Sequence, residues 1–147
     1  MKILYIEDEE IKANEIINLL KQEHEIILRK SLNSGIAAIL EDIYDLILLD
    51  MSLPLYDYNT EDEDENDFET FAGIDILDEL IRTERKENIA VITAFDILGE
   101  GDKVITIHQL DKKLKNEYGE IYLGIIFYNS SSLEWRRTLK NIIGGLM

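Results

Sequence analysis

The chain has 147 residues, 46% of them hydrophobic, with 31 acids against 15 bases and no cysteine. A net charge of −16 excludes a bare nucleic-acid binder and disfavours docking on an anionic membrane, since both need clustered Lys and Arg. Without cysteine there are no disulfides, thiolate zinc sites or thiol nucleophiles, and two histidines, His24 and His108, offer little for imidazole metal sites. No apolar run reaches the roughly 20 residues that span a bilayer, and the N-terminus turns acidic too soon for a secretion signal. The length fits a single domain, 1–147, and a cytoplasmic location is the expectation.

Residues Lys2–Ile6 form an apolar, partly β-branched run that reads as a buried strand. From Glu9 to Glu23, Ala13, Ile16, Ile17 and Leu20 recur at helical spacing. Glu25–Arg29 reads as a second strand. Ser34 is the expected N-cap of a second helix whose apolar stripe is Ile36, Leu40 and Ile43. Asp45–Asp50 is apolar without alternation, as in a strand covered on both faces.

The segment from Asp57 to Glu69 holds eight acids and no base, and an acidic, solvated loop insertion at about 57–72 is expected. It does not fit a calcium loop starting at Asp57: the sixth position is Asp62 instead of Gly, and the twelfth is Phe68 instead of Glu. Beyond it, Gly73–Lys86 reads as a helix with Ile74, Leu77, Leu80 and Ile81 on one face, and Asn88–Thr93 as a fourth strand. Val104–Tyr118 reads as a helix stopped by Gly119. Ile121–Tyr128 then reads as the fifth strand, and Ser132 caps a last helix that buries Trp135, Leu139, Ile142 and Ile143. The alternative makes Val104–Gln109 the fifth strand, but leaves the more apolar Ile121–Tyr128 without a role. Either way, strands alternate with helices, the pattern of an α/β domain with a parallel sheet and helices on both faces. The two histidines have no partner pattern, which places them on the surface by default. Core packing is the expected role of Tyr122, Phe127, Tyr128 and Trp135.

In such folds, ligands bind at the carboxyl ends of the strands. Here those ends carry Glu7-Asp8-Glu9, Asp50 and Thr93-Ala94. Carboxylates from two adjacent strands repel unless they share a cation, and Mg²⁺ suits such an oxygen set. A carboxylate at the focus can attack phosphorus and form an aspartyl-phosphate. Each acid alone has a plainer reading as a helix cap; the conjunction carries the argument.

The chain resembles the response-regulator receiver domain of two-component signalling. The resemblance runs over nearly the whole sequence, through Lys2-Ile3-Leu4-Tyr5-Ile6-Glu7-Asp8-Glu9, Ser34-Gly35-Ile36-Ala37-Ala38-Ile39-Leu40, Asp45-Leu46-Ile47-Leu48-Leu49-Asp50-Met51-Ser52-Leu53-Pro54, Gly73-Ile74-Asp75-Ile76-Leu77 and Val91-Ile92-Thr93-Ala94. It implies a flavodoxin-like, doubly wound five-stranded parallel sheet in the order 2-1-3-4-5. It also implies Asp50 as phospho-acceptor, Asp8, Asp50 and the Ser52 backbone carbonyl as Mg²⁺ ligands, Glu7 as supporting acid and Thr93 as the switch hydroxyl.

Two departures stand out. The acidic segment lengthens the connection between Pro54 and Gly73. The Lys that receivers carry at the end of strand five is replaced by Tyr128-Asn129, unless the alternative strand assignment holds and Lys112 or Lys113 serves. The implied function is a stand-alone receiver in a phosphorelay, not an enzyme beyond self-catalysed phosphoryl transfer. Its partners would be a sensor histidine kinase or phosphotransfer protein upstream and a protein target downstream, with no nucleic acid or membrane. The alternative is a degenerate receiver acting as a phosphorylation-independent protein-interaction module.

Overall fold

The first apolar run becomes the central strand β1 (Lys2–Ile6), with β2 (Glu25–Arg29) on one side and β3 (Leu46–Leu49) on the other. In this computed structural model, which describes residues 1–57, 68–69, 71–100 and 102–147, β6 (Asn88–Thr93) and β9 (Tyr122–Phe127) complete a parallel sheet. The sheet has five strands in the order β2-β1-β3-β6-β9, which is the expected 2-1-3-4-5 counted over parallel strands alone. Helices α1 (Glu10–Leu20), α2 (Leu32–Glu41), α3 (Ala72–Arg82), α4 (Ile107–Tyr118) and α5 (Glu134–Leu146) make the crossovers and the final turn of the chain. Successive strand side chains point to opposite faces, so two cores form. Leu4, Ile6, Ile47 and Leu49 pack with α2, α3 and α4 residues such as Ile39, Leu77 and Leu114. Ile3, Tyr5, Leu46 and Leu48 pack with Ile16 of α1 and Trp135 and Leu139 of α5. Among the described residues, no helix is long and apolar enough to cross a membrane.

The fifth parallel strand is Tyr122–Phe127, so the assignment of Val104–Gln109 to that place is overturned. The Val/Ile/Thr signal there is nonetheless a strand. Residues Lys103–Thr106 (β8) pair antiparallel with Ile97–Glu100 (β7) in a hairpin that stands apart from the main sheet. Helix α4 therefore starts at Ile107, where Thr106 and Gln109 close a capping box, and not at Val104. Gly119 stops α4 with φ +62°, a backbone favourable only to glycine. Strand β9 carries a bulge: Ile89 faces Tyr122 while Ala90 faces Gly124, whose φ is +139°.

Several expected faces rotate. The N-cap of α2 is Ser31, whose Oγ accepts from Ser34 N–H while Ser34 closes the box from inside. The helix thus begins three residues earlier than expected and buries Leu32, Gly35, Ala38 and Ile39, leaving Leu40 61% and Ile43 72% exposed. Likewise α3 buries Ala72, Gly73 and Ile76 beside Leu77 and Leu80, with Ile81 outward. Ser132 supplies its hydroxyl to Glu134 N–H, but Leu133 is the cap residue of α5. His24 is buried, not on the surface, with Nδ1 3.3 Å from the N-terminal amine; His108 is exposed. Phe127 is 44% exposed, so it is not a core residue, whereas Tyr122, Tyr128 and Trp135 are.

The acidic segment is closed at its base by a two-residue antiparallel ladder, Leu53–Pro54 (β4) against Phe68–Glu69 (β5). Asn33 at the start of α2 also donates from its backbone and side chain to Leu55 O, and Ser34 Oγ donates to Asp57 Oδ1 at 2.8 Å. The expected solvated stretch between these ends, residues 58–67, lies outside the described residues.

Candidate functional site

Parallel strands put their carboxyl ends on one edge of a sheet. The pairing of Ile6 with Leu49 brings the residues that follow β1 and β3 side by side, and Asp50 N–H donates to Ile6 O at 3.1 Å. Glu7, Asp8 and Asp50 therefore converge, with one carboxylate oxygen of each within 4.8 Å of the others. They line a cleft of about 300 Å³ with Glu9, Lys12, Ser52, Ala94 and Phe95.

Helix α1 delivers a cation into this acidic cluster. Lys12 is 1% exposed, and its Nζ lies 2.5 Å from Glu7 Oε1, 3.3 Å from Asp50 Oδ2 and 2.9 Å from Ile92 O. Its backbone N–H is held by Glu9 Oε2, the N-cap acceptor of α1, and Glu9 N–H in turn reaches Glu7 Oε2 at 3.3 Å. Asp50 Oδ1 accepts from Met51 N–H at 2.7 Å, and the Tyr5 hydroxyl donates to Glu7 Oε1 at 3.2 Å. An ammonium buried this deeply needs such a set of acceptors, because an unpaired one costs several kcal/mol.

The cleft sets four acidic side chains, Glu7, Asp8, Glu9 and Asp50, against one ammonium. Burial, followed by the Asp50 charge, pushes the Glu7 carboxyl up to about 8, with Lys12 pulling the other way. The same two causes, in the same order, push Asp8 up to about 6. A hard divalent cation fits this residual charge and all-oxygen donor set. Asp8, Asp50 and a carbonyl at Ser52 are the groups that would hold it.

Solved structures similar in fold include receiver domains. The signal receiver domain of a putative Luxo repressor protein from Vibrio parahaemolyticus superposes with a TM-score of 0.64 at 18% identity, covering 99% of this chain and 91% of that one. The chain has the fold of a response-regulator receiver domain. The response regulator TrrA from Thermotoga maritima, solved in complex with Mg²⁺-BeF, is also similar in fold, with a TM-score of 0.58 at 13% identity over 96% of this chain and 97% of that one. In sequence, the Detocs response regulatory protein DtcB of Enterobacter cloacae is 25% identical over 144 residues, 95% of each chain. No protein-family model matches the chain.

Within this receiver fold, Thr93 ends β6, fully buried, with its Oγ1 accepting from Phe95 N–H at 3.2 Å. It stands behind the cleft wall, whose surface here is Ala94 and Phe95. Tyr128 directly follows β9, its N–H donating to Thr93 O at 2.8 Å. Lys112 and Lys113, the alternative cations, are exposed on α4 and do not line the cleft. Lys12 is the site residue that the sequence reading missed. A signal for it exists: Lys12, Ile16 and Leu20 recur every fourth residue, so a lysine occupies the buried stripe of an amphipathic helix.

Proposed function

We propose that the chain is a phospho-accepting receiver in two-component signalling, with Asp50 as acceptor and Mg²⁺ as cofactor. The observation that carries this reading is the convergence of Glu7, Asp8 and Asp50 on one edge of the sheet around a single buried ammonium. A carboxylate oxygen of Asp50 attacks phosphorus in a phosphohistidine or a small acyl phosphate. The P–O bond to Asp50 forms as the P–N or P–O bond to the donor breaks, and the leaving group keeps that electron pair. Bound at Asp8, Asp50 and the Ser52 carbonyl, Mg²⁺ would offset the charge on the transferring oxygens. The chain's own groups do the rest: Glu7 supports the cation sites, and the Thr93 hydroxyl turns from Phe95 N–H toward the new phosphoryl oxygens. The product is a modified protein instead of a released metabolite, so the role is a switch and not an enzyme. The partners that fit are a sensor kinase or phosphotransfer protein upstream and a protein target downstream.

The test is to incubate the chain with acetyl phosphate and Mg²⁺ and measure intact mass. Gain of one phosphoryl group, absent in Asp50→Asn, is the expected result. No gain, or an equal gain in Asp50→Asn, removes Asp50 from the account. It would leave the second reading, a phosphorylation-independent interaction module. Lys12 favours that reading to the extent that it already satisfies Glu7 and Asp50 without a ligand.

A further inference from the structure

We propose that Lys12 of α1 is the cation that pairs with the phosphoryl group on Asp50, so that phosphorylation is transmitted through α1 and the Tyr128–Trp135 contact. This rests on Asp50 being the acceptor. Four observations support it. First, Lys12 Nζ already bridges Asp50 Oδ2, Glu7 Oε1 and Ile92 O, so it touches the acceptor carboxylate and the backbone immediately before Thr93. No other described basic residue lines the cleft. Second, the residue after the fifth parallel strand is Tyr128, whose ring centroid lies 6.0 Å from Lys12 Nζ. An aromatic ring there contributes no charge of its own and borders the ammonium that comes from the opposite element.

Third, Lys12 is not an independent side chain on a solvated helix. Its N–H is capped by Glu9, and Glu9 N–H bonds Glu7, so the first turn of α1 and the acidic cluster form one hydrogen-bonded unit. Fourth, Tyr128 ties that helix to α5. Its hydroxyl donates to Glu15 Oε2 at 2.7 Å, and its ring packs on Trp135 with centroids 5.1 Å apart. A phosphoryl group adds charge and three acceptor oxygens beside Lys12. The ammonium must then exchange part of its bonding to Glu7 and Ile92 O for those oxygens. The displacement falls on α1 and, through Tyr128, on the start of α5. Side chains of α4 have no part in this path.

The experiment uses the full chain, Mg²⁺ and beryllofluoride, with the single tryptophan, Trp135, as fluorescent reporter and amide NMR shifts as a second readout. Lys12→Gln is expected to weaken beryllofluoride binding by about 10–100-fold, the loss of one charge-assisted hydrogen bond, while Lys112→Gln and Lys113→Gln leave it unchanged. In wild-type protein, beryllofluoride should shift amides along residues 10–20 and 128–135 more than those of α4. Equal binding by wild type and Lys12→Gln, or a loss in Lys113→Gln instead, overturns the role of Lys12 while leaving Asp50 as acceptor. Wild-type shifts confined to α4 and β9 overturn the route through α1, and this measurement decides the matter if Lys12→Gln does not fold. Absence of any wild-type response removes the acceptor reading and this inference together.

Discussion

Lys12 Nζ and Glu7 Oε1 stand 2.5 Å apart, with both side chains almost wholly withdrawn from solvent. Breaking one half of a buried pair leaves the other charge uncompensated, typically at about 3–5 kcal/mol, whereas replacing both by apolar or neutral groups is far milder. Above about pH 8, where Glu7 is ionised, Lys12→Met should therefore destabilise the metal-free protein by that order, and Lys12→Met combined with Glu7→Gln should recover most of the loss. Urea denaturation of the two single variants and the double variant measures this directly. Additive losses would mean that the pair is not coupled.

The Glu7 carboxyl, ordinarily near 4.5 and held at about 8 by burial and Asp50, binds its proton more tightly in the folded than in the unfolded chain. Its contribution to stability is thus fully present below about 4.5 and is lost as pH rises through about 8. Metal-free wild type should lose at least about 1 kcal/mol across that window relative to Glu7→Gln, whose neutral amide has no proton to give up. Denaturant midpoints at both ends of the window test the sign. A wild type that gains stability against Glu7→Gln with rising pH would contradict it.

The strand-end acids were legible in the sequence because parallel strands must align their carboxyl ends, whatever the loops do. Asp8, Asp50 and Thr93 needed only the alternation of apolar runs and helices to be placed. Lys12 was harder to read, because a lysine on a helix is normally solvated and the cation was sought at the end of β9, where Tyr128 stands. The start of α2 was misplaced for a local reason. The sequence offers two serines, Ser31 and Ser34, and the capping geometry uses both. Starting at Leu32, the helix buries the stripe Leu32, Gly35, Ala38 and Ile39, so Leu40 turns outward and Ile43 lies beyond its last residue, Glu41. The strand character of β8 was read only in the alternative, as a fifth strand of the main sheet, because Val104 also fits the stripe of the following helix and nothing local separates the two periods in so short a run; β7 had no counterpart in the reading.

Asp8 is the most solvent-accessible of the three acids, and burial together with Asp50 holds its carboxyl at about 6. Mg²⁺ bound at the proposed site must displace that proton, so affinity should fall as pH drops below about 6. Calorimetry in buffers of different ionisation enthalpy should detect proton release near that pH and little well above it. Asp8→Asn should weaken Mg²⁺ binding by at least about tenfold. Unchanged affinity in that variant would place the cation elsewhere.

Gly73 sits where α3 starts against the end of β3, its N–H donating to Met51 O at 3.0 Å. A Cβ there would stand 2.9 Å from the Asp50 carbonyl oxygen, 2.7 Å from Leu49 Cδ1 and 2.5 Å from Met51 Cε. The two side-chain ends can turn aside, but the carbonyl is the backbone of Asp50 and moves only if Asp50 moves. Gly73→Ala is therefore expected to cost about 1–3 kcal/mol, as overpacking does, despite alanine's better helix propensity. It should also weaken Mg²⁺ binding, since the strain falls on a proposed ligand. Gly144→Ala in α5 is the control: nothing lies within 4 Å of its added Cβ, so the helix-propensity gain of about 0.5–1 kcal/mol remains. Thermal denaturation of both variants, with and without Mg²⁺, separates the two cases. Equal stabilisation by both would show that α3 has room to shift away from Asp50.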